Sequence, residues 1–307
     1  MAETAVLFHP LVHGHGNEVE RAVRQASYGR LYNEAPQLDE GNGARTWLIR
    51  GANFVISVSD VECGAELERA DNADEYMVLL PPETDAAISA DKEAIDAHGD
   101  SLTIVPPGKS SVRAKSAGRV VRIFSNRARD LSASASNAAN YADGAPEVAP
   151  IIDWPKPEGG YRLRNYYLPD YSDPKFFGRI FRSTNLMINV FDRKDVRRDP
   201  SKMSPHSHDD FEQASLTLEG SFIHHLRVAW TPNMALWRED EHVAFDSPSI
   251  LVIPAKLVHT TQDVGDGTTW LIDIFAPPRI DFSRQAGLVR NADEYPMPSG
   301  AEFGGSR

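Results

Sequence analysis

The sequence predicts an all-β chain: two antiparallel barrels in tandem, with a short N-terminal helix and an irregular linker. Three observations carry that expectation. Short runs rich in Val, Ile, Leu and Phe, bounded by Pro, Gly and Asp, recur along the chain, as barrel strands require. Val19 to Ala26 is the one stretch with convincing helical character. The chain also repeats itself. Arg50 to Asp60 (RGANFVISVSD) matches Arg182 to Asp192 (RSTNLMINVFD) in pattern, Glu75 to Leu80 matches Glu212 to Leu218, and Ser101 to Pro106 matches Ser249 to Pro254. Their offsets of 132, 137 and 148 grow through insertions of loop size.

Taken in order, residues 1–44 form an N-terminal extension and 45–130 the first barrel. Residues 131–160, rich in Ser, Ala, Asn and Pro, form a linker over the surface. The second barrel spans 161–285, and 286–307 form a Gly- and Pro-containing tail expected to drape or fray.

The chain's 307 residues are enough for two such units. Its 44 acidic against 32 basic residues give a formal charge of −12, which argues against nucleic acid as a partner, because phosphate binding needs clustered Lys and Arg. A single cysteine, Cys63, excludes an internal disulfide framework and fits a reducing compartment. No run of about 18 apolar residues occurs, so no membrane partner is expected. A cytoplasmic location is the expectation.

The chemistry concentrates at His206-Ser-His208-Asp-Asp-Phe-Glu212, answered by Ile253-Pro254-Ala-Lys-Leu-Val-His259. Histidines two apart on a strand share a face, with Cα atoms about 6.5 Å apart. Glu212 lies a further even step along, and a rolled sheet can deliver His259 from a distant strand. Three imidazoles and a carboxylate suit one divalent transition metal per chain. Fe or Mn is favoured, with Ni, Zn or Cu also fitting.

The spacing H-x-H-x3-E-x7-G, ending at Gly220, followed by P-x-K-x2-H, resembles the two motifs of the cupins. With the repeat, the resemblance implies a bicupin of jelly-roll barrels, with metal ligands His206, His208, Glu212 and His259. Asp273 to Phe282 looks like the closing strand of small cupins. The sequence departs from the pattern at Lys256, where a Gly is usual, at Asp263, where an Asn is usual, and at Pro200 and Pro248 before the motifs. In the first barrel the repeat sets Arg69 and Asp71 against His206 and His208, and Ser111 against His259. Arg69 stays charged at ordinary pH and is no ligand, so that barrel is expected to be metal-free.

Around the motifs, alternation puts Phe222, His224 and Leu226 on one face, with His224 a candidate general acid/base beside the metal. Arg227, Lys256 and Gln262 are candidate substrate-binding residues, the two cations as holders of a carboxylate. Leu216, Leu218, Phe222 and Leu226 would suit an aromatic or unsaturated small molecule. Three functional readings stand open. One is a non-haem dioxygenase, which leads narrowly by resemblance. The second is a sugar-acid or uronate isomerase or ring-opening enzyme using the metal as Lewis acid. The third is a metal- or ligand-binding module without turnover. A homodimer is expected, because barrel edges are commonly covered. His9, His13 and His15, near the N-terminus, are read as surface residues.

Overall fold

The computed structural model describes residues 21–39 and 41–299. The terminal histidines, the start of the expected helix and the end of the tail lie outside them. The chain is nearly all β, with antiparallel strands and two short helices, Arg129–Ser134 and Ile280–Ser283. Residues 21–26 carry no regular structure, so the helix expected from Val19 does not form over its described part. None of the described helices is long and apolar enough to cross a membrane.

Each half has a large and a small sheet. The first half's large sheet runs, in spatial order, Arg164–Tyr167, Ser101–Val105, Tyr76–Leu80, Gly118–Ser125, Phe54–Val61, Ala44–Arg50, Leu38–Asp39. The second half's runs Ser27–Gly29, Ser249–Ile253, Gln213–Glu219, Trp270–Phe275, Met187–Val190, Arg179–Arg182. The first six strands of the one correspond in order to the six of the other, as the repeat anticipates, and Leu38–Asp39 is an addition at the edge of the first. Small sheets of four strands (Glu66–Arg69, Ser110–Ala114, Ala86–Ala90, Glu93–Ala97) and three strands (Leu257–Asp263, Phe222–Val228, Glu241–Phe245) complete the halves.

Two strands cross over. Ser27–Gly29, near the start of the chain, pairs with Ser249–Ile253 in the second half. Arg164–Tyr167, beyond the linker, pairs with Ser101–Val105 in the first. Each large sheet therefore ends in a strand from the other part of the chain.

The large sheets are buried on both faces, which explains why their strands are near-continuous apolar runs rather than alternating ones. Ile56, Val58, Met77, Leu79, Val121 and Ile123 from the first half pack in one core with Ile188, Val190, Ala214, Leu216, Ile272 and Ile274 from the second. The opposite faces look into each half's own interior. In the first, that interior is filled by Val55, Tyr76, Val78, Val105, Val120 and Phe124. In the second, it opens as a cavity.

The linker is more ordered than its composition suggests. It holds most of the helix Arg129–Ser134 and a 3-10 turn at Ala138–Tyr141, with Leu131 and Tyr141 buried. The described part of the tail is docked rather than frayed: Leu288, Val289 and Tyr295 are buried, and Arg290 N–H donates to the Ile180 carbonyl.

Candidate metal centre

His206 and His259 face each other across an antiparallel bridge in which each N–H donates to the other's carbonyl, at 3.1 and 2.8 Å. The turn Pro254-Ala-Lys256 sets the approach. Lys256 has φ 68°, the left-handed conformation that favours the Gly usual at this place, and its N–H donates to the His208 carbonyl at 2.5 Å. His208 follows two residues after His206, and its ring stacks on Phe211 at 4.4 Å.

Among the described residues, His206, His208 and His259 form the one group with metal-ligand geometry: one ring nitrogen of each lies within 4.8 Å of the others. The rings are pre-set. His206 Nδ1 lies 2.9 Å from the Ser204 carbonyl, and His259 Nδ1 lies 2.9 Å from the Leu257 carbonyl. A carbonyl only accepts, so each Nδ1 carries the proton and Nε2 keeps its lone pair. His259 Nε2 is buried with no hydrogen-bond partner in the protein, an orphaned acceptor of the kind a metal would satisfy. Burial holds His259 down to about 4 and His208 to about 3, so both rings are neutral near pH 7, the state in which imidazole ligates. The residues present fit a divalent transition metal.

Glu212 does not join them. The strand Gln213–Glu219 presents Ala214, Leu216 and Leu218 to the core between the halves. Glu212 is in phase with those residues and points to the same side. There its Oε2 accepts from Ala52 N–H at 2.5 Å and its Oε1 from Tyr141 OH at 3.0 Å. The fourth side chain brought to the imidazoles is Gln213, one step along and on the opposite face: its Oε1 lies 3.0 Å from His208 Nε2. Gln213 Nε2 donates to Ser215 Oγ (3.1 Å), and Ser215 Oγ donates to Asp273 Oδ1 (2.8 Å). Asp273, part-buried on the cavity wall, is pushed up to about 6 by burial. Sequence reasoning passed over Gln213 because an amide is not a habitual ligand. The signal that finds it is the parity of the Ala214, Leu216, Leu218 stripe.

The cavity above this group has a volume of about 780 Å³. Its lining includes His206, His259, Gln213, Asp273, Asn189 and Arg279. The other predicted site residues lie elsewhere. His224 shares a buried face with Phe222 and Leu226, as parity requires, and is a hydrogen-bonded core histidine on Thr261 Oγ1 (3.0 Å), one layer behind the cavity lining to which Phe222 and Thr261 belong. Arg227 is exposed and paired with Asp240. Lys256 is exposed on its turn. Gln262 is on the outer face of its strand, 3.4 Å from His225 Nε2. Leu216 and Leu218 line the core between the halves, not the cavity.

In the first half, different chemistry occupies the equivalent place. Arg69 pairs with Ser110, as His206 pairs with His259, so Ser110 and not Ser111 stands opposite. Tyr76 takes the place of Gln213 and its OH shares a hydrogen bond with Ser110 Oγ (3.0 Å), while Arg69 holds Asp130 with two bonds of 2.6 and 3.0 Å.

No protein-family model and no curated protein matches the sequence. Solved structures do match in fold. An oxalate decarboxylase from Lactobacillus farciminis, in a formate complex, superposes with a TM-score of 0.55 at 14% identity, over 86% of this chain and 88% of that one. The protein YlbA from E. coli gives 0.54 at 10% identity, over 84% and 94%. The Bacillus subtilis oxalate decarboxylase, studied for its Mn(II) centres, gives 0.54 at 13%, over 86% and 78%. At these identities the likeness is one of fold: the chain has the bicupin fold, with a three-imidazole group in its second half.

Proposed function

We propose that this chain is a metal-dependent enzyme acting on a small organic substrate, with one divalent transition metal held by His206, His208 and His259 and with Gln213 beside it. The convergence of three imidazoles on one point, with an orphaned His259 Nε2, is the observation that supports it. The Mn(II) centres of the Bacillus subtilis oxalate decarboxylase support Mn among the candidates, and Fe, Ni, Zn and Cu suit the same donors. When bound, such a metal supplies a Lewis acid that polarises a carbonyl or carboxylate oxygen.

The chain's own residues supply the rest. Asp273, held up to about 6 and lining the cavity, is poised to accept a proton from a substrate at pH 7 and to return it, with Ser215 and Gln213 fixing its orientation through their hydrogen bonds. This favours metal-assisted proton transfer (isomerisation or a related carbon–acid step). A second reading, dioxygenation, is favoured by the phenylalanine-rich walls, which suit an aromatic or unsaturated substrate.

The test is elemental analysis of untagged protein beside His206→Ala. About one metal per chain in the parent, lost in the variant, is the expected result. Oxygen uptake against solvent-deuterium exchange into the substrate then separates the two reactions. Absence of metal even after reconstitution would remove the enzyme reading and leave a ligand-binding bicupin.

A further inference from the structure

The cavity is far larger than an oxalate-sized dianion needs, and most of its wall is apolar. A series of aromatic rings runs along one side. Arg279 lies over Phe282 at 3.6 Å, Phe282 meets Phe177 edge-on at 5.8 Å, and Phe177 meets Phe191 at 6.1 Å. Phe177 is 51% exposed and lines this open space, so its free face is available to a ligand.

One cation sits at the inner end of that series. Arg279 Nε and Nη2 hold Asp281 through two bonds of 3.1 and 2.6 Å, and Phe282 and Phe275 pack against the guanidinium plane. Among the described residues Nη1 has no acceptor, so a fixed donor remains. The guanidinium also lies over Phe211 at 5.5 Å, and that ring stacks on His208 at 4.4 Å, which places it close to the imidazoles. Arg198 is not the equivalent: its guanidinium donors go to the carbonyls of Thr261 and Lys202 and to Ser204 Oγ.

We infer that the pocket takes an amphipathic carboxylate, an aryl- or branched-alkyl-substituted acid, with its carboxylate at Arg279 beside the imidazoles and its apolar body along Phe282, Phe177 and Phe191. This rests on the proposed site but not on the metal itself. Asp192, Asp263 and Asp273 also line the cavity, so the carboxylate is held by the directed Nη1 donor of Arg279 rather than by a net positive field. The phenylalanines select its apolar portion.

Calorimetric titration with 3-phenylpropionate, acetate and oxalate tests the inference on protein stripped by chelation and on Mn-loaded protein. 3-Phenylpropionate is expected to bind at least tenfold more tightly than acetate or oxalate in both. Arg279→Met should weaken it about tenfold and Phe177→Ala about fivefold, each with unchanged Mn content. Phe177 is half exposed, so that variant tests the pocket even where Arg279→Met fails to fold. Equal affinity for the three acids, or a Phe177→Ala variant that binds as the parent does, would overturn the inference. Selective binding without any bound metal would leave it standing while removing the metal-enzyme reading; a bound metal without selectivity would do the reverse.

Discussion

Asp273 has an ionisation that differs from that of the free side chain for a physical reason, its enclosure beside Phe275 and beneath the cavity. Because its folded value (about 6) lies above the ordinary 3.8, burial of the charged form costs stability. The protonated form is fully favourable below about pH 4, and stability is lost as pH rises toward 6. Asp273→Asn keeps an acceptor for Ser215 and removes the charge. We expect it to melt higher than the parent above pH 6, by about 1–2 kcal/mol once the water-facing side is allowed for, and equally near pH 4. A denaturation series from pH 4 to 8 reads this, and a constant difference across that range would refute it. Lys256 makes the complementary point. At φ 68° a side chain costs about 1–2 kcal/mol relative to a relaxed backbone, and glycine avoids it. Lys256→Gly should therefore raise the urea midpoint without changing metal content. The legibility of the site divides at this scale. His206, His208 and His259 were readable because two imidazoles on one strand face, met by a third from a distant strand, are the donor set that a transition metal requires. Glu212 against Gln213 was not, because the motif's spacing alone does not fix which residue starts the strand, and one step of parity exchanges cavity for core.

At the scale of elements, the displaced carboxylate proves to be half of a matched pair. Glu75 occupies the first half's equivalent of Glu212. It accepts from Thr184 N–H (3.1 Å), Thr184 Oγ1 (3.0 Å) and Tyr295 OH (2.8 Å), all contributed by the second half. Ala52 and Thr184 are equivalent in the repeat, and Tyr141 and Tyr295 each lie just past the short helix that follows their half. Each large sheet thus sends one buried glutamate into the other half, to a backbone N–H and a tyrosine. The fit is tight: a Cβ on Gly51 would lie 2.7 Å from Glu212 Oε2. Burial raises both carboxyls above their ordinary range, so the donors matter more than at a surface. Tyr141→Phe leaves Glu212 short of one donor and should cost about 1–3 kcal/mol in urea unfolding, with metal content unchanged. Glu212→Gln should likewise keep its metal, whereas Gln213→Leu should weaken metal retention under chelator challenge. Loss of metal from Glu212→Gln and not from Gln213→Leu would reverse these assignments. The repeated strands were legible in sequence because both halves keep the same apolar runs. The docking of Tyr141 and Tyr295 was not, since segments rich in Ser, Ala, Asn and Pro carry no periodicity to announce a buried tyrosine.

For the whole molecule, the exchanged strands and the shared core bear on how the chain unfolds. Two tandem domains joined by a surface linker would melt separately, each with its own core. Here the residues facing the other half are among the most thoroughly buried: Ile56, Met77, Leu79, Ile188, Leu216 and Ile274 are all fully enclosed. Removing either half would expose that face together with the unpaired edges of Ser101–Val105 or Ser249–Ile253, whose end strands come from elsewhere in the chain. The first half is thus part of the scaffold that holds the second half's large sheet, from which Gln213 and Asp273 reach the cavity. Scanning calorimetry of the intact chain should show one transition, with calorimetric and van't Hoff enthalpies in agreement. Chelation should shift that transition as a unit, because a ligand bound to one half stabilises whatever unfolds with it. Two resolved transitions, only the higher or lower of which moves on chelation, would show instead that the halves are energetically separate and that the buried glutamate pair contributes little to joining them.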